Sequence, residues 1–209
     1  MSAPSNFCPR ADMKKIICAS VMMISPLLAH AADAGGYVFG NIASMANIWD
    51  LDARKAQQYG VRDLTSNKDG NAAAGAWELG AGYRFGDHLA AEASFMKGLG
   101  ETRIDKAGAM RNQALRFAVL GLLPLSDSFD LYGKVSANYI YSDFRSANPG
   151  YASVKDKGWG IGLGLGAAYH LNKSLSLRAE LDGIGQVKVK GVTDKSRLGS
   201  FKLGASYRL

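Results

Sequence analysis

Apolar and polar residues alternate one by one along most of this chain. In 77–85, Trp77, Leu79, Ala81, Tyr83 and Phe85 interleave with Glu78, Gly80, Gly82 and Arg84. In 201–209, Phe201, Leu203, Ala205, Tyr207 and Leu209 interleave with Lys202, Gly204, Ser206 and Arg208. Residues 159–171 and 175–181 follow the same rule. Successive side chains of a β-strand point to opposite faces, so a period of two predicts strands; the helical period of 3.6 is almost absent. Each strand has one apolar face and one face of glycines and charges.

Eight strands can be laid out, over 36–48, 75–85, 89–98, 113–125, 129–143, 157–171, 175–190 and 197–209. Three connections are tight, at 86–88, 126–128 and 172–174. Four are longer and polar, at 49–74, 99–112, 144–156 and 191–196. Short turns at one end and long loops at the other predict an all-β fold, an eight-stranded antiparallel up-and-down transmembrane β-barrel. Three-residue turns set the register. They place Gly82 opposite Glu92, Ala168 opposite Arg178, Gly166 opposite Glu180, Leu125 opposite Phe129 and Arg116 opposite Asn138. Glu92, Arg178 and Glu180 each face a glycine or alanine, which a narrow interior requires of long side chains.

Two features put the apolar face outside. The polar face mixes both signs of charge among glycines, which suits a closed interior where buried charges pair. The aromatics also gather at strand ends. Trp49, Trp77 and Trp159, with Tyr139 and Tyr141, fall toward the long loops; Tyr83, Phe85, Phe129, Tyr169 and Tyr207 fall toward the short turns. Two aromatic girdles flanking an apolar band are expected where amphipathic rings meet the two membrane interfaces.

The N-terminal segment is set apart from the barrel. Met13-Lys14-Lys15, the apolar run 16–29 and Ala29-His30-Ala31 read as a secretory signal peptide with its cleavage site. Residues 1–31 are therefore expected to be an upstream extension plus signal peptide, with Met13 a candidate start, and 32–209 the barrel domain. Cys8 and Cys18 both fall in that leader, so the remainder has no thiol chemistry. The chain carries a net +7; Arg10, Lys14 and Lys15 against Asp12 give the leader +2 and leave +5 for the rest. In an exported protein that charge favours lipid headgroups or lipopolysaccharide phosphates over nucleic acid.

The segments "LGAGYRF" (79–85), "LPLSDSFDLYGKV" (123–135), "LSLRAEL" (175–181) and "LGASYRL" (203–209) resemble the eight-stranded transmembrane domain of the outer membrane protein A family and the small single-domain barrels related to it. The resemblance implies a monomeric barrel of the bacterial outer membrane, inserted by the outer-membrane assembly machinery. That machinery reads a C-terminal strand with an aromatic end. Tyr207 and Leu209 occupy those positions, with leucine where phenylalanine is more usual. The resemblance also implies an interior ion-pair network, carried by Glu92, Arg178 and Glu180 and, as a looser match, Lys134. No segment matches the family's peptidoglycan-binding domain.

Catalysis finds little support. After the leader the histidines are His88 and His170, neither with a serine–acid arrangement on the outer-leaflet side. Two separated histidines make a poor metal set, and the glycines of "GLGLG" (162–166) alternate within a strand, so no cofactor is expected. Lys188, Lys190, Lys195 and Arg197 make the 185–197 hairpin basic. It is either a contact for lipopolysaccharide phosphates or an ordinary solvated hairpin. The expected role is non-enzymatic: structural support of the outer membrane, with the loops meeting lipopolysaccharide and the surroundings. A narrow small-solute channel is the alternative.

Overall fold

A computed structural model describes residues 34–51, 68–104, 108–146, 154–189 and 193–209. The leader assigned to 1–31 lies outside them. The strands are β1 (Gly35–Leu51), β2 (Lys68–Arg84), β3 (Leu89–Gly98), β4 (Thr102–Ile104), β5 (Gly108–Ser126), β6 (Phe129–Ser146), β7 (Val154–His170), β8 (Leu175–Val189) and β9 (Thr193–Arg208). All pairings are antiparallel, in the order β3-β2-β1-β9-β8-β7-β6-β5-β4, and β3 also pairs with β5. That last pairing closes the sheet. The three-residue β4 prolongs the place of β3 beside β5, so the wall is an eight-stranded barrel.

Alternation positions every side chain. Along β6, Asp130, Tyr132, Lys134, Ser136, Asn138, Ile140, Ser142 and Phe144 are buried, while Leu131, Val135, Ala137 and Tyr141 are exposed. Outward residues such as Ile161 and Leu165 are 78% and 72% exposed. A contiguous apolar exterior of this kind has hydrocarbon, not water, as its solvent. In transmembrane barrels of this architecture the short turns face the periplasm and the longer loops the outside.

Two expectations need correction. The strands run further than the alternation indicates: Trp49, Asp50 and Leu51 pair with Gly70, Asp69 and Lys68, inside the segment read as the first long loop. The stretch Asn71-Ala72-Ala73-Ala74 has no period of two, and backbone ladders do not need one. The connection at 126–128 is also tighter than three residues. Ser126, not Leu125, pairs with Phe129 across a two-residue turn, and a β-bulge at Leu125 absorbs the shift. Below the bulge the expected register holds, with Arg116 opposite Asn138. Gly82–Glu92, Ala168–Arg178 and Gly166–Glu180 also pair as the turns require.

Candidate functional site: the barrel lumen

The lumen is built in tiers by inward residues of all eight wall positions. The middle tiers hold charge. Arg178 sits 2.7 Å from Glu92 and 3.5 Å from Glu180; Lys134 sits 3.0 Å from Glu92 and 2.8 Å from Glu180. The four residues singled out by the family resemblance are thus brought together. The network extends further. Arg116 pairs with Glu78 at 2.9 Å and with Asp182, and donates to Asn138. Lys202 reaches Glu78 at 3.0 Å, Glu180 at 2.6 Å and Asp182 at 2.9 Å, and so joins the two tiers. Cations and carboxylates balance one to one in this set, which buried charge demands.

Neutral donors complete it. Ser94 Oγ and Asn41 Nδ2 donate to Glu78 at 2.7 and 2.9 Å. Tyr37 donates to Glu92 at 2.9 Å and Tyr132 to Glu180 at 3.2 Å. Arg178 also lies over the rings of Phe39 and Tyr132, at 4.7 and 5.4 Å. The glycines opposite the acids serve these rings: a Cβ on Gly82 would strike the Tyr37 ring, and one on Gly166 the Tyr132 ring. By alternation alone that space belongs to the charged side chains themselves. Tyr37, Phe39 and Tyr132 carry no sequence signal of an inward position, because by type they match the girdle residues of the exterior.

Next to the charges, on the long-loop side, an apolar tier fills the lumen. Met45, Ala76, Met96, Ala114, Ile140, Ile184 and Leu198 form one buried cluster. These residues occupy inward positions of the period-two pattern, where an apolar side chain is no different by type from one facing lipid.

On the short-turn side the lumen opens into a cavity of about 970 Å³, with Tyr37, Arg84, Asp130, His170, Ser176 and Arg208 in its wall. Here His170 does have a serine and an acid. Its Nδ1 lies 2.7 Å from Ser176 Oγ and its Nε2 3.0 Å from Asp130. His170 and Ser176 are a cross-strand pair, so their contact follows from register. Asp130 Oδ2 is also held by Arg84 at 3.0 Å. In a hydrolytic triad the carboxylate stabilises the imidazolium that forms on the histidine. A guanidinium on the same oxygen opposes that role. His88 stands apart, near the Leu122 carbonyl at 3.3 Å. Among the described residues no three histidine, cysteine or acidic side chains come together as a metal site.

The remaining candidates divide by position. Tyr83, Trp159, Tyr169 and Tyr207 face outward and are exposed, and Trp77 packs on Phe95 at 5.7 Å. Trp77 and Trp159 lie within long strands, so the wall continues beyond the aromatics. Trp49 pairs through its backbone with Gly70 and Ser196, and its side chain lies outside the described residues. Tyr207 pairs with Leu175 and Val38, and the Leu209 amide donates to the Gly36 carbonyl. In the basic hairpin, Arg197 is exposed. Lys188 and Lys195 belong to β8 and β9, with side chains outside the described residues, and Lys190 lies outside them altogether.

Residues 16–208 match the model of the outer membrane protein beta-barrel domain. The chain belongs to that family and is a protein of the bacterial outer membrane. Solved structures that share the fold include the following. Neisserial surface protein A is 17% identical, with a TM-score of 0.62, over 84% of this chain and 99% of that one. OprG from Pseudomonas aeruginosa is 16% identical, with a TM-score of 0.57, over 86% and 98%. Ail, the attachment invasion locus protein of Yersinia pestis, is 15% identical, with a TM-score of 0.53, over 84% and 99%. Comparison with curated protein sequences finds no match.

Proposed function

We propose that this protein is a closed, non-conducting and non-enzymatic barrel that supports the outer membrane and carries its loops at the cell surface. One observation supports this above the others: ion pairs and an apolar tier occupy the middle of the lumen. Arg116 and Lys202 are 2% and 1% exposed, and Met96 and Ile140 0% and 1%. A conducting pore wets the groups that line it, whereas these side chains are buried and packed against one another. Eight strands leave an interior that side chains can fill. The paired charges tie strands that are not neighbours in the wall: Arg178 on β8 reaches Glu92 on β3, and Lys202 on β9 reaches Glu78 on β2. The 185–197 hairpin, with Lys188, Lys190, Lys195 and Arg197, is our candidate contact for lipopolysaccharide phosphates at the loop tips.

Conductance decides between this reading and the channel. The protein refolded into planar bilayers is expected to give no steady current in potassium chloride. Reproducible openings that scale with solute concentration would overturn it.

A further inference from the structure

We propose that the outward face of β5, β6 and β7, immediately beyond the outer aromatic belt, seats the phosphates of a lipid A headgroup. Its residues belong to β5, β6 and β7 and include none of the 185–197 hairpin. It rests on the outer-membrane location alone, so a barrel that conducted would keep it.

Register builds the surface. Outward residues align in rows across the three strands. Tyr139 pairs with Trp159; Gln113, Tyr141 and Lys157 form the next row; Arg111, Asp143 and Lys155 form the one after. Rows on one face are two residues apart, about 7 Å along a strand. The intervening residues Ile140, Ser142 and Phe144 point into the lumen and are buried.

The first two rows contain an aromatic platform. Tyr139 touches Tyr141 edge-on at 4.8 Å and Trp159 at 5.1 Å. Trp159 is 65% exposed, on the apolar side of which lie Ile161 and Leu163. Such rings settle at the level of the headgroups, with acyl chains on one side and charge on the other. The side chains on the charged side are therefore at the depth where the outer leaflet holds its phosphates.

Those side chains are mostly cations. Lys155 and Lys157 are exposed, and Arg111 and Arg145 expose 57% and 55% of their side chains. Two carboxylates stand among them. Glu101 takes up Arg111 at 2.9 Å and Arg145 at 3.8 Å, and Asp143 lies between Arg111 and Lys155 in register. Lys155 and Lys157 have no ion-pair partner among the described residues. They project from one strand, two positions apart, toward the lipid side. That arrangement suits an anion that approaches along the wall and stays there. A bisphosphorylated lipid whose acyl chains lie on Trp159, Ile161 and Leu163 meets that description. By contrast, the row Ala73–Ala46–Gly199 on β2, β1 and β9 has no charge to offer.

The test titrates refolded protein in detergent micelles with bisphosphorylated lipid A and counts adducts by native mass spectrometry. The proteins are wild type, Lys157→Gln, Lys155→Gln/Lys157→Gln and, as a charge control in a periplasmic turn, Lys173→Gln. Each lysine near an anionic surface contributes about fivefold in affinity. The expected result is a saturable adduct, weakened about fivefold in the single variant and about twenty-five-fold in the double variant. Lys173→Gln leaves it unchanged, and dephosphorylated lipid A or millimolar inorganic phosphate does not compete. Undiminished binding by the double variant, or equal uptake of dephosphorylated lipid A, overturns the proposal. So does displacement by inorganic phosphate, which would mean a free-anion site. Unboiled gel mobility checks that each variant is folded. If the double variant is not, the single variant and the two forms of lipid A on wild type decide alone.

Discussion

Lys202→Met tests whether the lumenal ion pairs hold the wall together. The ammonium lies within 3.0 Å of carboxylates on three side chains, Glu78, Glu180 and Asp182, and is 1% exposed. Methionine keeps nearly the same length and apolar stem, so packing changes little. What changes is charge: Arg116, Lys134 and Arg178 then face Glu78, Glu92, Glu180 and Asp182, one negative charge too many. Breaking a buried pair by removing one partner costs about 3–5 kcal/mol, because the other charge stays buried and uncompensated. Arg116 still holds Glu78 and Asp182, and Lys134 still holds Glu180, so the lower end, about 3 kcal/mol, is expected. A second change, Glu180→Gln, restores neutrality and is expected to recover about half of that loss. Urea unfolding in lipid vesicles, followed by tryptophan fluorescence, measures both. A Lys202→Met barrel within about 0.5 kcal/mol of wild type would refute the reasoning. So would a double variant less stable than the single one.

Three further outcomes follow from the same lumen. Glu92→Ala and Arg178→Ala are each expected to lower urea resistance by about 3 kcal/mol and to weaken the heat-dependent shift in gel mobility; unchanged values in both would remove their structural role. Gly166→Ala forces the Tyr132 ring aside and is expected to cost about 1–3 kcal/mol, whereas Gly121→Ala, with nothing within 4 Å of the added methyl, leaves urea stability unchanged. A fluorophosphonate probe is expected to leave Ser176 unlabelled, and labelling lost in Ser176→Ala and His170→Ala would make the periplasmic cavity a hydrolase site.

Much of the wall was legible in the sequence because lipid imposes a strict rule on it. Every second residue from Trp159 to Leu171 must be apolar, and that periodicity fixes strand, face and register together. The loop-side extensions of β1 and β2 were not legible, since beyond the bilayer both faces of a strand meet water and the alternation lapses, as in Asn71 to Ala74. The charged half of the lumen could be read from Glu92, Arg178 and Glu180 because a charge inside an apolar alternation has few other places to go. The aromatic half could not. Tyr37 and Phe39 resemble girdle residues by type, and only the pairing of Tyr37 with Gly82 and Arg208 shows which face they take.

The Ser176–His170–Asp130 string shows the converse hazard of a barrel interior. Cross-strand pairing places inward residues close together whatever their chemistry, and any polar ones must bond to something. A serine, a histidine and an acid will therefore line up in a lumen without selection for catalysis. The informative feature is the fourth member, Arg84, which takes the oxygen of Asp130 that faces His170. A cation already on that oxygen weakens the carboxylate's hold on a charge forming on the imidazole. Here Arg84 is that cation, which makes the string the lower end of the ion-pair column. Arg84 also donates to the carbonyls of Gly86 and Asp87 in the turn between β2 and β3. The column thus ends by fastening a periplasmic turn, and Arg84→Gln is expected to loosen that turn. Faster amide exchange at Gly86 and Asp87, with the lumen above unchanged, would show it; exchange equal to wild type would leave Arg84 without the anchoring role.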